Sequence, residues 1–370
     1  MFKRILKVIS VLYIVLVITL FLVTNFSNLK HFWRETKNNA LDRRVQVWSK
    51  AAIGQYLWSH ILNGSLEVLN NGFYQNGNIT ISGITFDYFS GPGYIQTTLP
   101  QNVRYLILVL NGRTFEHSIK AREWLDYLYR LQSLRKLAVF LLGNENCEDI
   151  WIVKYLKSKG GIIDVLFIVY DSPLVDDKEV FQWPLGVATY RGFPNIETTH
   201  LKTSRKYVCN FIGTVYKNSS REKLVEAMAK SNLNHNCYME TRKKWLPKET
   251  KESLNKYISI LSSSLLTLSP AGKNAECYRL YEAISLGSIP VVVMEPPQGQ
   301  CVNPPLRLLF RYNAPILKFS SWEEAIHLLT TSKLDLRITS TELMIWYASF
   351  KRQLASAMIH TIKQKFFNPF

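Results

Sequence analysis

Between Ser269 and Val293 the chain reads SPAGKNAECYRLYEAISLGSIPVVV, which sets Lys273, Glu276, Arg279 and Glu282 at spacings that could serve a nucleotide sugar. The apolar run Leu265 to Leu268 can end a buried strand, and Pro270, Ala271 and Gly272 turn the chain before a helix predicted from Ala275. On that helix Cys277, Leu280, Tyr281 and Ile284 share one face, while Arg279 and Glu282 lie together on the opposite one. Free N–H groups and the dipole at a helix start favour an anion, a guanidinium pairs with diphosphate oxygens, and a carboxylate accepts hydrogen bonds from ribose hydroxyls. Gly272, Lys273, Glu276 and Arg279 are therefore candidates for the diphosphate, and Glu282 for the ribose. By pattern alone an ordinary amphipathic helix with a surface Arg and Glu reads equally well.

A second stretch adds to the donor set. Tyr207 to Ile212 is a strand candidate ending in Gly213 and Thr214, and Asn218, Ser219, Ser220 and Arg221 open a helix running to Ala229. A Ser N-cap is ordinary there, but Arg221 in a first turn is electrostatically unfavourable unless an anion sits beside it. For the chemistry, an inverting sugar transfer needs one base on the acceptor hydroxyl and stabilisation of the departing diphosphate. Asp171, at the end of a buried strand, is the first candidate for that base and Glu145 the second. A turn closed by the Asp171 side chain itself is the structural alternative.

These residues need a scaffold, and the chain supplies alternating strands and helices. Apolar runs Val103 to Leu110, Leu137 to Leu142 and Val165 to Tyr170 are separated by helical stretches, the first of them Ala121 to Leu134, and each run ends in polar residues. Continuous apolar strands between helices indicate a parallel sheet covered on both faces, with a ligand crevice beyond the strands' carboxyl ends. Asn111, Arg113, Asn144, Glu145 and Asp171 all fall there. Strands at Tyr207 to Ile212, Leu265 to Leu268, Ile289 to Val293 and Ile316 to Phe319 alternate with helices at Lys251 to Ser263, Ala275 to Leu286, Trp322 to Thr330 and Thr341 to Lys365. The expected fold is α/β of the GT-B type, two Rossmann-like domains facing a cleft. Residues 45–200 would form the acceptor side, 201–340 the donor side and 341–370 a C-terminal helix. Val45 to His60 has apolar residues at helical spacing, Ile79 to Ile84 suggests short strands of a small cap, and Phe181 to Tyr190 reads as an interdomain crossing.

Composition bounds the rest. The chain has 370 residues with a net charge of +17, and no RNP, zinc-finger or helix-turn-helix pattern, so phosphate-bearing sugars are better partners than nucleic acid. The basic cluster Arg242, Lys243, Lys244 reads first as a solvated face, and Trp48, Trp58, Trp124 and Trp183 as core. Residues 8–26 form an apolar stretch long enough to cross a bilayer, preceded by Lys3, Arg4 and Lys7, with no small-residue cleavage site after it. The expectation is a single-pass signal anchor with residues 1–7 cytoplasmic, 27–44 as a stem, and the remainder lumenal. Sequons at Asn63, Asn78 and Asn218 suit that compartment. Five widely spaced cysteines allow one or two disulfides in undefined pairing. No D-x-D occurs, and no H-E-x-x-H, so a metal site is not expected and helix dipole and arginine would take the place of a cation.

Several blocks carry a closer likeness: VWSKAAIGQYLW, LLGNENC, FIVYDSP, FQWPLGVATYRGFP, CNFIGTVYKNSSR and ECYRLYEAISLGSIPVV. With the Gly213 to Arg221 and Ser269 to Val293 segments they resemble exostosin-type glycosyltransferases, and most closely the ribitol-5-phosphate xylosyltransferase family, from about Val45 to Phe350. The resemblance implies β-1,4 transfer of xylose from UDP-xylose to ribitol 5-phosphate on the O-mannosyl glycan of α-dystroglycan; the missing D-x-D adds the expectation that no cofactor is needed. It also implies a Golgi type II membrane protein with fukutin-type enzymes of the same pathway as candidate partners. The stem is short, and the segment after Val293, with Glu295, Pro296, Pro297 and Cys301, is compact beside the family's loop. Competing readings are an exostosin-like transferase with another UDP-sugar and a proteoglycan-type acceptor, or a lumenal scaffold without turnover.

Overall fold

A computed structural model of the chain describes residues 43–69, 74–92, 95, 102–196, 205–244, 250–331 and 339–368. The expected anchor at 8–26 and most of the stem lie outside the described residues. Among the described residues no helix is long and apolar enough to cross a membrane.

The strands are β1 (Arg44–Ser49), β2 (Glu67–Leu69), β3 (Tyr74–Ile81), β4 (Ile84–Ser90), β5 (Tyr105–Asn111), β6 (Lys136–Leu142), β7 (Val165–Val169) and β8 (Val180–Trp183), followed by β9 (Tyr207–Thr214), β10 (Cys237–Arg242), β11 (Ser264–Leu268), β12 (Ile289–Val293) and β13 (Leu317–Phe319). The first eight form one sheet in the order β2-β3-β4-β1-β5-β6-β7-β8, and the last five a second in the order β10-β9-β11-β12-β13. The second sheet is parallel throughout. The first is parallel from β4 to β8, with β2 and β3 added antiparallel at its edge. The parallel strands are short, apolar and buried on both faces, as the continuous runs predicted.

Three expectations change. Arg44–Ser49 is not the start of a helix but β1, in the middle of the first sheet. Val45 and Val47 enter the core cluster on one face and Trp48 the cluster on the other, a period of two that the helical reading overlooked. Helical structure begins afterwards as α1 (Ile53–Tyr56), continued by a π-helical turn to Ile61. The strands near Ile79 are no separate cap: β3 and β4 form a hairpin through Ser82 and Gly83, both at positive φ, and β4 pairs directly with β1. In the expected crossing, Val180–Trp183 is a buried edge strand, and only the segment beyond Trp183 leads towards the second sheet.

The other described α-helices are α2 (Phe115–Leu128), α3 (Ser220–Ala229), α4 (Lys251–Ser262), α5 (Tyr278–Ser285), α6 (Arg307–Arg311), α7 (Trp322–Thr330) and α8 (Ser340–Phe367), with short 3-10 turns between some of the elements. α2 starts earlier than predicted because the Thr114 side chain caps the amide of His117. The long α8, opened by a Thr339/Glu342 capping box, belongs to both halves: Tyr347 meets the hydroxyl of Tyr56 at 3.1 Å, and Phe366 stacks on Tyr105 of β5. One core cluster runs through the junction, with Leu185, Val187 and Phe193 beside Tyr281, Tyr347 and Phe350. Trp48, Trp58, Trp124 and Trp183 are all core. Two disulfides form: Cys209–Cys237 ties β9 to β10, and Cys147–Cys301 joins the two halves. Cys277 is a free thiol.

Candidate active site

A cleft with a cavity of about 200 Å³ opens between the carboxyl ends of the two sheets. From the first half it is lined by Arg113 after β5, Glu145 after β6 and Tyr170 after β7. Leu185, Ala188, Tyr190 and Arg191 border it from the segment after β8. The second half supplies Gly213, Arg221, Arg242, Tyr257 and Gly272, with Asn274, Glu276, Cys277, Tyr278, Arg279 and Glu282 from the turn and helix that follow.

On the second wall two guanidinium groups are held close together. The Nη2 of Arg279 donates to the Ile212 carbonyl at 3.0 Å, and the Nη1 of Arg221 to the Thr214 carbonyl at 2.8 Å, so both side chains are anchored to the end of β9. Glycine makes this possible. A Cβ on Gly213 would lie 2.8 Å from Arg279 Nη2, and one on Gly272 3.3 Å from Arg221 Nη2. Arg279 Nε and Nη1 and Arg221 Nε are buried with no hydrogen-bond partner. A buried donor without a partner costs roughly 1–3 kcal/mol. Burial, and secondarily the Arg279 charge, pushes the Arg221 pKa down. Two neighbouring half-buried cations with unmatched, buried N–H groups are a site prepared for an anion.

The turn leading to α5 differs from expectation. The Asn274 side chain accepts from the Glu276 amide at 2.9 Å in a turn outside the helix, and α5 begins at Tyr278 with Cys277, in extended conformation, at its N-cap. Glu276 consequently turns inward, accepting from the Leu185 amide at 2.9 Å and from the Tyr281 hydroxyl. Burial pushes its pKa up to about 7. Lys273 is exposed and lines a smaller neighbouring cavity. Glu282 reaches the cleft but is itself buried, accepting from the Tyr257 hydroxyl at 2.7 Å and the Ala188 amide at 3.2 Å, and burial raises its pKa.

On the first wall the charges are paired. Arg113 Nη2 and Glu145 Oε1 lie 3.0 Å apart. The loop carrying Glu145 is fixed on every side. Asn144 N donates to buried Asp149 at 3.0 Å, Asn146 N to the Asn144 side chain at 2.7 Å, and Cys147 is in the interdomain disulfide. The Glu145 carbonyl accepts from Asn274 Nδ2 at 2.9 Å across the cleft. Tyr170, bulky and buried, holds φ at +68°, a strained backbone of the kind that collects at functional sites.

Asp171 stands apart from this constellation. Its carboxylate accepts Arg307 Nε and Nη2 at 2.8 Å each and Asn303 Nδ2 at 3.2 Å, and it faces the smaller cavity. Of the residues chosen from sequence, Glu145, Gly213, Arg221, Gly272, Glu276, Arg279 and Glu282 meet at the cleft, and Asp171 and Lys273 do not. Sequence reasoning passed over Tyr257 and Tyr278 and read Arg242 as part of a solvated face. That arginine sits at the end of β10 within the cleft lining while its neighbours Lys243 and Lys244 are exposed, a split that cluster counting hides. Asn63, Asn78 and Asn218 are exposed.

Two family models match the chain, the RXYLT1 N-terminal domain over residues 45–184 and the RXYLT1 C-terminal domain over 190–367. Among solved structures, an alpha-glucosyltransferase in complex with UDP-glucose and DNA containing an abasic site aligns with a TM-score of 0.44 and 12% identity, over 87% of this chain and 99% of that one. The catalytic domain of starch synthase IV from Arabidopsis thaliana bound to ADP and acarbose aligns at 0.40 and 8%, over 86% and 99%. Curated relatives named ribitol-5-phosphate xylosyltransferase 1 are far nearer in sequence. The Danio rerio protein is 42% identical over 90% of this chain and 79% of its own length, the Mus musculus protein 40% over 92% and 80%, and the Homo sapiens protein 41% over 88% and 77%. With both of its halves matched and such identity sustained across them, the chain belongs to the ribitol-5-phosphate xylosyltransferase 1 family of glycosyltransferases.

Proposed function

We propose that this enzyme transfers xylose from UDP-xylose to the ribitol 5-phosphate of the O-mannosyl glycan on α-dystroglycan, with inversion to a β-1,4 linkage. The names of its relatives support the sugar and the acceptor, and one observation carries the donor site: the buried, partnerless N–H groups of Arg221 and Arg279. A diphosphate supplies the oxygens those donors lack. Two largely parallel sheets meeting at a cleft support the GT-B reading, with 45–200 as acceptor side, 201–340 as donor side and 341–370 as the segment whose helix, Ser340–Phe367, packs on both.

In the reaction the acceptor hydroxyl attacks the anomeric carbon as the bond to UDP breaks, and the bonding pair leaves with the diphosphate. Arg221 and Arg279 stabilise that developing charge in a partly dry cleft, where fixed charges act most strongly. Glu282 takes a ribose hydroxyl in place of, or beside, the Tyr257 hydroxyl, and Glu276 braces the turn beneath the diphosphate. Glu145 accepts the acceptor proton, because it lines the cleft opposite the donor wall whereas Asp171 is closed off by Arg307 and Asn303. With arginines in the cation's role and no D-x-D in the chain, transfer proceeds without a metal. Residues 8–26 anchor the enzyme in the Golgi membrane as a type II protein whose lumenal face carries glycans at Asn63, Asn78 and Asn218, beside fukutin-type enzymes of the same pathway.

The test offers the 370-residue chain in detergent UDP-xylose and competing UDP-sugars, with a ribitol 5-phosphate acceptor, with and without EDTA. Xylose transfer that survives chelation and is lost in Arg279→Ala is the expected result. Absence of transfer from every donor while UDP still binds would replace the enzyme reading by a scaffold.

A further inference from the structure

We propose that Arg113 binds the phosphate of the acceptor and that this contact frees Glu145 to act as the base, a role that rests on the transferase function proposed for the cleft. The cleft arginines Arg113, Arg191, Arg221, Arg242 and Arg279 differ in their surroundings. Arg221 and Arg279 are anchored on the donor wall. Arg242 lies beside Glu240 at 3.7 Å and Ser253 at 3.3 Å, and Arg191 belongs to the crossing segment. Arg113 alone stands at the end of a strand of the first sheet, facing the donor motif across the cleft.

Its backbone is fixed, since its amide donates to the Asn111 side chain at 3.0 Å and its carbonyl accepts from Asn144 Nδ2 at 3.2 Å. Its guanidinium is not enclosed: the Arg113 and Glu145 side chains are 38% and 20% exposed. A ligand entering the cleft therefore reaches this ion pair, and both partners can respond by side-chain rotation alone on rigid loops. A carboxylate oxygen that already accepts from a guanidinium has that position occupied and is not open to a hydroxyl. A phosphate offers Arg113 a fork of oxygens with more charge than Glu145 has, and so competes for it.

Phosphate on Arg113 leaves the Glu145 carboxylate unpaired beside the polyol that the phosphate has delivered. The polyol hydroxyl then gives its proton to Glu145, its oxygen bonds to the anomeric carbon, and the pair from the broken C–O bond departs on UDP. An unphosphorylated polyol leaves the ion pair closed and reacts slowly. Selectivity for a phosphorylated acceptor thus arises from base release as well as from binding.

The experiment compares ribitol 5-phosphate with ribitol, using wild type, Arg113→Ala and Arg113→Lys as full chains loaded with UDP-xylose for kinetics and with UDP for calorimetry. Wild type should prefer the phosphorylated acceptor by about tenfold to a hundredfold in kcat/KM, the range set by one charge-assisted contact. In Arg113→Ala the KM for ribitol 5-phosphate rises, transfer to ribitol rises because Glu145 has lost the partner that closed it, and the preference collapses towards unity, while UDP affinity stays within about twofold. Arg113→Lys, with charge but no fork, falls between. A preference that survives Arg113→Ala overturns the inference, and so does an equal loss with both acceptors. Calorimetry separates this from the function itself. Phosphate-dependent, Arg113-dependent acceptor binding without any transfer would sink the xylosyltransferase reading and keep the phosphate site, whereas transfer with Arg113-independent preference does the reverse.

Discussion

The two walls of the cleft handle charge in opposite ways. On the second-domain wall Arg221 and Arg279 are brought together, hydrogen-bonded to backbone carbonyls and set over the Tyr216 and Phe211 rings, and left with buried N–H groups unmatched. On the first-domain side the charges are paired, Arg113 with Glu145 at the cleft and Asp171 with Arg307 behind it. An unmatched wall is costly until a ligand arrives and so binds strongly, whereas a paired wall is stable when empty and must exchange partners in order to act. The donor side is built for affinity and the acceptor side for a change of state.

The contrast is most exposed to test at the base. Glu145→Gln keeps size and loses proton acceptance, and transfer should fall by about 10²–10⁴-fold with UDP affinity unchanged. Asp171→Asn should leave the rate within a few-fold, since that carboxylate faces Arg307 rather than the cleft. Single-turnover rates with saturating UDP-xylose distinguish the two, and a large loss in Asp171→Asn with little in Glu145→Gln would exchange their roles. Next in size is Glu276, whose buried carboxyl has its pKa raised to about 7 from 4.5. The folded state holds that proton more tightly than the unfolded chain does. Its stabilising contribution is complete below pH 4.5 and is lost as the pH rises through about 7, a change of the order of 3 kcal/mol. Denaturant melts between pH 4.5 and 7.5 should decline more steeply in wild type than in Glu276→Gln, which keeps an acceptor for the Leu185 amide, while the decline due to Asp149 and Glu282, whose pKa values burial also raises, remains in both; parallel pH profiles would contradict it.

The parallel strands were readable because each is a short apolar run closed by polar or glycine residues, and Ile289–Val293 coincides with its prediction. β1 was missed because six residues of alternating Val45 and Val47 run directly into a true helical stretch, which dominates any longer window. At the site, Arg279 and Glu282 were legible from their separation of three along a helix. Glu276 was legible as a residue but not in its role, because the Asn274 side chain delays the helix and turns Glu276 inward. Asp171 drew attention as a strand-end carboxylate, and its partner Arg307 is 136 residues away, a separation no local pattern reports. The Arg113–Glu145 pair needed the alignment of β5 with β6, a tertiary fact.

Two substitutions of smaller and opposite consequence probe the donor wall. Arg279→Ala removes a charge-assisted contact of about 1.5–3 kcal/mol with the diphosphate, so the Kd for UDP should rise by roughly ten- to a hundredfold. The same change relieves the repulsion on Arg221 and eliminates two partnerless N–H groups, so the ligand-free protein should unfold at the same denaturant concentration or a higher one. Affinity lost together with stability would mean that Arg279 is a structural residue and that the wall is not held open for an anion. Lys273 is the control at the other extreme. It lies four residues from Cys277 at the start of α5, the position that pattern alone would choose for a phosphate contact, yet it is exposed and borders the neighbouring cavity. Lys273→Ala should change UDP affinity by less than about twofold, the range of an exposed charge acting through solvent. Measured beside Arg279→Ala at two salt concentrations, it separates a cleft that binds through buried guanidiniums from one that merely collects anions by net charge, because only in the second case would the lysine and arginine variants lose affinity alike and recover it at low salt.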